Sequence, residues 1–170
     1  VTVFRFDTRW VLEAPAEVVF EALTDSLRWP EWWPGLVEVR QYRAGDECGI
    51  GRTQCFVWRS PLGYRLSFDI RIVRVERPCL IEGEASGDVV GIGRWQLREE
   101  GPWTCVRYRW QVRTVRPWMS LASRLARPLI VWNHHVLMRR GARGLARHLD
   151  CPLGNQRHEA ILVPAGEHDS

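Results

Sequence analysis

The segment from Pro128 to Leu149 limits what this chain can fold into more than any other stretch. On a helix of about 3.6 residues per turn, Val131, His134, His135, Met138, Ala142, Leu145 and Leu149 share one stripe. Arg139, Arg140, Arg143 and Arg147 gather on the other side. The half from Leu129 to Leu137 is apolar nearly all round, which predicts burial on most sides, and two adjacent histidines sit in it. Almost everything upstream reads as strands. This is therefore the only segment long enough to cover the open face of a sheet.

The upstream pattern is of period two. Phe4, Phe6, Thr8, Trp10 and Leu12 share one face of a first strand, with Arg5, Asp7 and Arg9 on the other. Ala14-Pro15-Ala16-Glu17 starts a short helix with proline near its first turn. A second short helical piece runs into Trp29-Pro30-Glu31-Trp32-Trp33-Pro34-Gly35, where the prolines prevent one continuous helix. Six strands in a meander follow between Leu36 and Val115. In the third of them Tyr64, Leu66, Phe68, Ile70 and Ile72 face one way until the phase slips at Ile72-Val73, the signature of a β-bulge that bends the sheet. Gly91, Gly93, Trp95 and Leu97 stay in phase, as do Val106, Tyr108, Trp110 and Val112. Trp118 to Ala126 reads as a short helical approach that Pro128 separates from the long helix. Sequence-adjacent strands joined by short turns predict an antiparallel sheet. Coiled by a bulge and closed by one helix, it leaves a hollow unless the inward residues fill it.

The chain has 170 residues, one domain's worth, enough to bury roughly 70% of its unfolded surface. Ten tryptophans set it apart, since each bulky indole carries an N–H that needs a partner when buried. The net charge of +4 comes from 24 basic residues, all arginine, against 20 acids, with no long block of one sign, so nucleic acid is a disfavoured partner. Cys48, Cys55, Cys79, Cys105 and Cys151 are odd in number and lack CxxC spacing, which argues for reduced thiols rather than zinc or disulfides. No secretory h-region and no apolar run of about 18 residues is found, so a cytoplasmic protein without a membrane span is expected.

The stretches Ala14 to Asp25, Trp29 to Gly35 and Gly87-Asp88, in this order of elements, resemble the START-like superfamily, with its birch-pollen-allergen-like helix-grip proteins and its polyketide cyclase/dehydrase and lipid transport branch. The resemblance spans Val1 to Leu149. It implies an α+β helix-grip fold: a seven-stranded curved antiparallel sheet, two short helices and a long C-terminal helix over a hydrophobic cavity. Residues 1–149 would form that single domain and 150–170 a mobile tail, although Ile161-Leu162-Val163 has the character to dock. Members mostly bind apolar molecules such as lipids, sterols, polyketides or quinones, and a minority catalyse cyclisation or dehydration. The family has no shared catalytic motif to carry across.

The candidate ligand-binding set is Trp32, Trp33, Phe56, Trp58, Tyr64, Phe68, Trp95, Tyr108, Trp110, Trp132, His134, His135 and Met138, because ligand sites are apolar with few polar groups. His134 or His135 as general base, with Tyr64 or Tyr108 meeting a developing enolate, is the candidate catalytic set; a satisfied core histidine explains the pair as simply. Adjacent histidines diverge on a helix, so no metal site is expected, and no cofactor. Glu82 and Glu84 share a strand face and are expected to pair with arginines in solvent. Three readings follow: binding of a hydrophobic or aromatic small molecule, a cyclase or dehydratase, or a module presenting the Trp cluster and Arg-rich helix face to a protein or membrane surface. Oligomeric state is not legible.

Overall fold

The computed structural model describes residues 2–116 and 123–164. Its elements in order are β1 (Thr2–Leu12), α1 (Ala16–Thr24), a 3-10 turn (Ser26–Arg28), α2 (Trp29–Trp32), β2 (Leu36–Arg43), β3 (Thr53–Arg59), β4 (Arg65–Glu76), β5 (Leu80–Gly87), β6 (Val89–Glu100), β7 (Trp103–Thr114), α3 (Ser123–His148) and β8 (Arg157–Pro164). One antiparallel sheet runs β2-β3-β4-β5-β6-β7-β1-β8. This is the expected α+β helix-grip architecture, with the meander of six strands intact.

Local chemistry explains the turns. Pro15 enters α1 extended, and no side chain caps it; instead the Ala16 N–H donates to Glu99 Oε1 of β6 at 2.7 Å. Val19, Phe20 and Leu23 give α1 its buried face. The phase slip expected at Ile72-Val73 appears as a register shift between Ile72 and Arg74 in the β4–β5 pair. At the β5–β6 corner Gly87 takes φ 118°, open to glycine alone at no steric cost, and the Asp88 carboxylate accepts from Ser67 N and Arg116 Nη2, both at 2.8 Å. Glu82 and Glu84 lie on the outer face as expected, paired with Arg94 and Arg71.

Two expectations are corrected. The sheet has eight strands, not seven: the segment expected to be a mobile tail pairs along β1 from Thr2↔Pro164 to Arg9↔Arg157. β1 would otherwise present an open row of N–H and C=O groups, and the alternation His158, Ala160, Leu162 matches its inner face residue for residue. Residues 165–170 lie outside the described set. Pro128 does not separate two helices but sits inside α3; a proline there forfeits one ladder hydrogen bond while its fixed φ still suits the helix. The short helical approach expected over Trp118 to Ala126 falls outside the described residues as far as 122, and Ser123 already belongs to α3.

A candidate ligand cavity beneath the long helix

Buried apolar side chains form two clusters. One collects Trp10, Leu12, Phe20, Trp29, Trp32, Trp33, Trp95, Met138, Ala142 and Leu145; the other collects Phe4, Phe6, Ala85, Val89, Trp110 and Val112. Between them, under α3, lies a cavity of about 170 Å³.

Its end wall is indole. Trp29, Trp33 and Trp95 line the space, and Trp10 packs behind them, 5.5 Å from Trp33 and 5.4 Å from Trp95. Two of these indoles are pinned by their donors: Trp29 Nε1 bonds the Ala22 carbonyl at 3.1 Å and Trp33 Nε1 the Leu137 carbonyl at 2.8 Å. Two glycines let α3 come down on them. A Cβ at Gly141 would fall 2.4 Å from the Trp33 ring, and one at Gly144 only 1.7 Å from the Trp32 carbonyl oxygen. The side walls are rings from alternate strand positions: Phe56 and Trp58 of β3, Phe68 of β4, Tyr108 and Trp110 of β7, Phe4 and Phe6 of β1. Gly93 leaves the space that Tyr108 and Trp110 occupy, since a Cβ there would lie 2.9 Å from each. Gly91 has a different task, the close approach of β7, because its Cβ would meet the Gln111 carbonyl at 1.9 Å.

Few polar groups reach this space. Asn133 of α3 accepts from Ser60 Oγ at 2.6 Å, tying the β3–β4 turn to the helix, while Ser60 Oγ also accepts from Leu62 N. Tyr64 lines the wall beside them, its phenol pushed up by burial and held back in part by Ser60. Tyr108 stacks on Trp95 with centroids 4.0 Å apart, and burial lifts its phenol above the usual range, so it remains a neutral donor. His134 stacks on Phe6 at 3.7 Å, and its Nδ1 is enclosed without a partner. Burial first, then His135 and His158, hold it well below the usual histidine range, so it is a neutral imidazole. In a corner by the 3-10 turn, Ser26, Arg52 and Gln54 also line the cavity.

The family model for polyketide cyclase/dehydrase and lipid transport proteins matches residues 3–150. The chain belongs to that family. The polyketide cyclase/dehydrase and lipid transport fold recurs in solved structures. The Zhui aromatase/cyclase from Streptomyces sp. R1128 superposes with a TM-score of 0.70 at 16% identity, covering 86% of this chain and 94% of that one. A START superfamily protein from Mycobacterium smegmatis gives 0.71 at 13%, covering 86% and 97%. The di-domain ARO/CYC StfQ from the steffimycin biosynthetic pathway gives 0.63 at 14% and covers 87% of this chain, which spans only 52% of that protein. At these identities the likeness carries the fold alone. No curated protein matches the sequence.

Within the family fold, ten of the sequence-selected residues come together on the cavity wall: Trp33, Phe56, Trp58, Tyr64, Phe68, Trp95, Tyr108, Trp110, His134 and Met138. Three do not. Trp32 stacks behind Trp33 and against His148, stapling α2 to α3. Trp132 is 46% exposed, pointing away from the sheet as its place on α3 requires. His135 lies one residue round the helix, against His158 of β8 at 5.6 Å. Trp29, Trp32 and Trp33 are all buried, so this cluster presents no exposed aromatic surface. Sequence reasoning missed Phe4 and Phe6, which alternation had already turned inward but which nothing placed next to β7 until the sheet order was known. It also missed Arg52, Gln54 and Asn133, because nothing in the type of a polar side chain marks it for a place on an apolar wall. Among the described residues no His, Cys, Asp and Glu group is arranged to hold a metal, all five cysteines are free, and no helix is long and apolar enough to cross a membrane.

Proposed function

We propose that this chain binds a compact aromatic molecule between the sheet and α3. The observation that carries the reading is the unfilled space itself, walled by rings in a domain whose other core residues are closely packed. Interiors ordinarily leave no such void, because unmatched apolar surface forfeits its dispersion contacts. An apolar cavity of about 150 Å³ takes a single benzene ring. By that measure 170 Å³ suits one or two fused rings, with any longer part extending outward. The volume thus favours an aromatic, quinone-like or small polyketide guest over a four-ring sterol lying wholly within.

Titration with naphthalene-sized probes, read by tryptophan quenching and calorimetry, tests this. Saturable one-to-one binding is expected, and it should fall more than tenfold in Val112→Phe, which fills the space from β7. Absence of saturable binding by any apolar aromatic would overturn the reading.

A second reading, a cyclase or dehydratase, is favoured by one observation: a neutral imidazole, His134, and a neutral phenol, Tyr108, share the cavity wall. His134 would take an α-proton and Tyr108 would donate to the resulting enolate oxygen. His135, off the wall, has no place in it. His134→Phe should preserve probe binding and abolish turnover of a poly-β-carbonyl substrate; unchanged turnover removes this reading. A docking role for the exposed Arg139, Arg140 and Arg143 finds less support, since the tryptophans meant to accompany them are interior.

A further inference from the structure

The corner of the cavity under the 3-10 turn is unlike the rest. Arg52 is the only charged side chain among the described residues that line the space, and no carboxylate lines it. Its Nη1 donates to the Thr24 carbonyl at the end of α1 at 2.8 Å, while its Nε is enclosed without a partner. No described acid forms an ion pair with it; Asp25, whose negative charge acts on it, is exposed. Elsewhere on this sheet the arginines behave differently: Arg71, Arg94 and Arg107 each hold a carboxylate on the outer face.

Neighbouring groups fix the corner. Gln54 is buried and bound at both ends, its Oε1 accepting from Ser26 Oγ and its Nε2 donating to Gln41 Oε1 at 3.0 Å. An enclosed guanidinium donor without an acceptor costs free energy that a neutral residue would avoid. Burial also lowers the proton affinity of Arg52, with Asp25 opposing. In an apolar cavity such a group is matched best by a ligand oxygen bearing negative charge, and guanidinium meets a planar carboxylate through two N–H donors.

Resting on the binding reading above, we infer that the guest is an aromatic acid, with its carboxylate or an equally acidic enol or phenol oxygen received at Arg52 and its rings among the indoles. The structure thereby assigns Arg52 as the specificity-determining residue.

The test uses an isosteric pair, 2-naphthoate and 2-naphthamide, titrated against the intact chain and Arg52→Gln at neutral pH. The intact chain should bind the carboxylate at least tenfold tighter than the amide. Arg52→Gln should lose that tenfold for the carboxylate and leave the amide unchanged. Equal affinities for the two probes, in both proteins, overturn the assignment and leave the binding reading standing. Binding of neither probe to the intact chain removes both. Because Arg52 also holds the end of α1, Arg52→Lys serves if Arg52→Gln fails to fold. It keeps the charge but loses the fork, so the carboxylate should weaken several-fold with the amide unchanged; equal effects on both probes overturn the assignment.

Discussion

Towards its C-terminal end α3 carries Gly141, Ala142, Gly144, Leu145 and Ala146, and the Trp32 and Trp33 segment presses against its backbone. Earlier along the same helix come Ile130, Asn133, His134 and Leu137, and beneath them lies the cavity. One element thus covers one sheet in two ways. Small residues let helix and indoles meet without a gap, whereas larger side chains hold the helix off and the rings below them leave space unfilled. Packing at the first end positions α3; the space at the second is what that positioning leaves available. A rigid end wall is what permits an unfilled neighbour, since a hollow in a loosely held core would collapse.

The sharpest way to break this contrast is to damage the packed end. Trp33→Ala removes a side chain that is 2% exposed together with its bond to the Leu137 carbonyl, and should cost about 3–5 kcal/mol. Gly144→Val, with no room beside the Trp32 carbonyl, should cost on the order of 3 kcal/mol from overpacking and backbone shift. Chemical denaturation of both checks this. At the cavity end the order reverses: Val112→Phe should change stability by less than about 1.5 kcal/mol, because the added ring enters empty space. If it destabilises as much as Trp33→Ala, the cavity is not available volume and the contrast fails. Between these lies Ser60→Ala, which leaves buried Asn133 without its donor and should cost about 1–3 kcal/mol.

Much of this architecture was legible beforehand, and the reasons are specific. Alternation in β1, β3, β4 and β7 placed the inward rings because a strand's side-chain period is set by its backbone. The bulge at Ile72 was legible as a phase slip for the same reason. Contacts between elements distant in sequence were not. Nothing in the alternation of His158, Ala160 and Leu162 named β1 as their neighbour, so eight strands read as seven and a tail. The division of work between His134 and His135 was equally hidden, since one residue's rotation on α3 decides between the cavity and the β8 seam. Arg52 escaped notice because arginines elsewhere on this sheet are solvated, and only the three-dimensional cavity distinguishes this one.

That seam supplies the smallest effect, and it bears on how firmly α3 is held. His135 and His158 face each other across α3 and β8, with His134 beside them, Arg139 adding positive potential from α3, and the Glu159 backbone bonding His135. Burial, then the neighbouring cations, lower all three; His158 falls to about 4. An unfolded histidine titrates near about 6.5, so between roughly that pH and 4 the unfolded chain binds more protons than the folded one. Stability from these groups is therefore complete above about pH 6.5 and is lost as the pH falls towards 4. Thermal midpoints should drop from pH 7 to pH 5, and His158→Gln should flatten that drop while leaving the pH 7 midpoint nearly unchanged. Should the variant and the parent fall in parallel, the histidines at the seam are not what titrates. Acid sensitivity would then lie with carboxylates such as Asp88, whose bonds to Arg116 and the Ser67 backbone hold it below the usual range against the pull of burial.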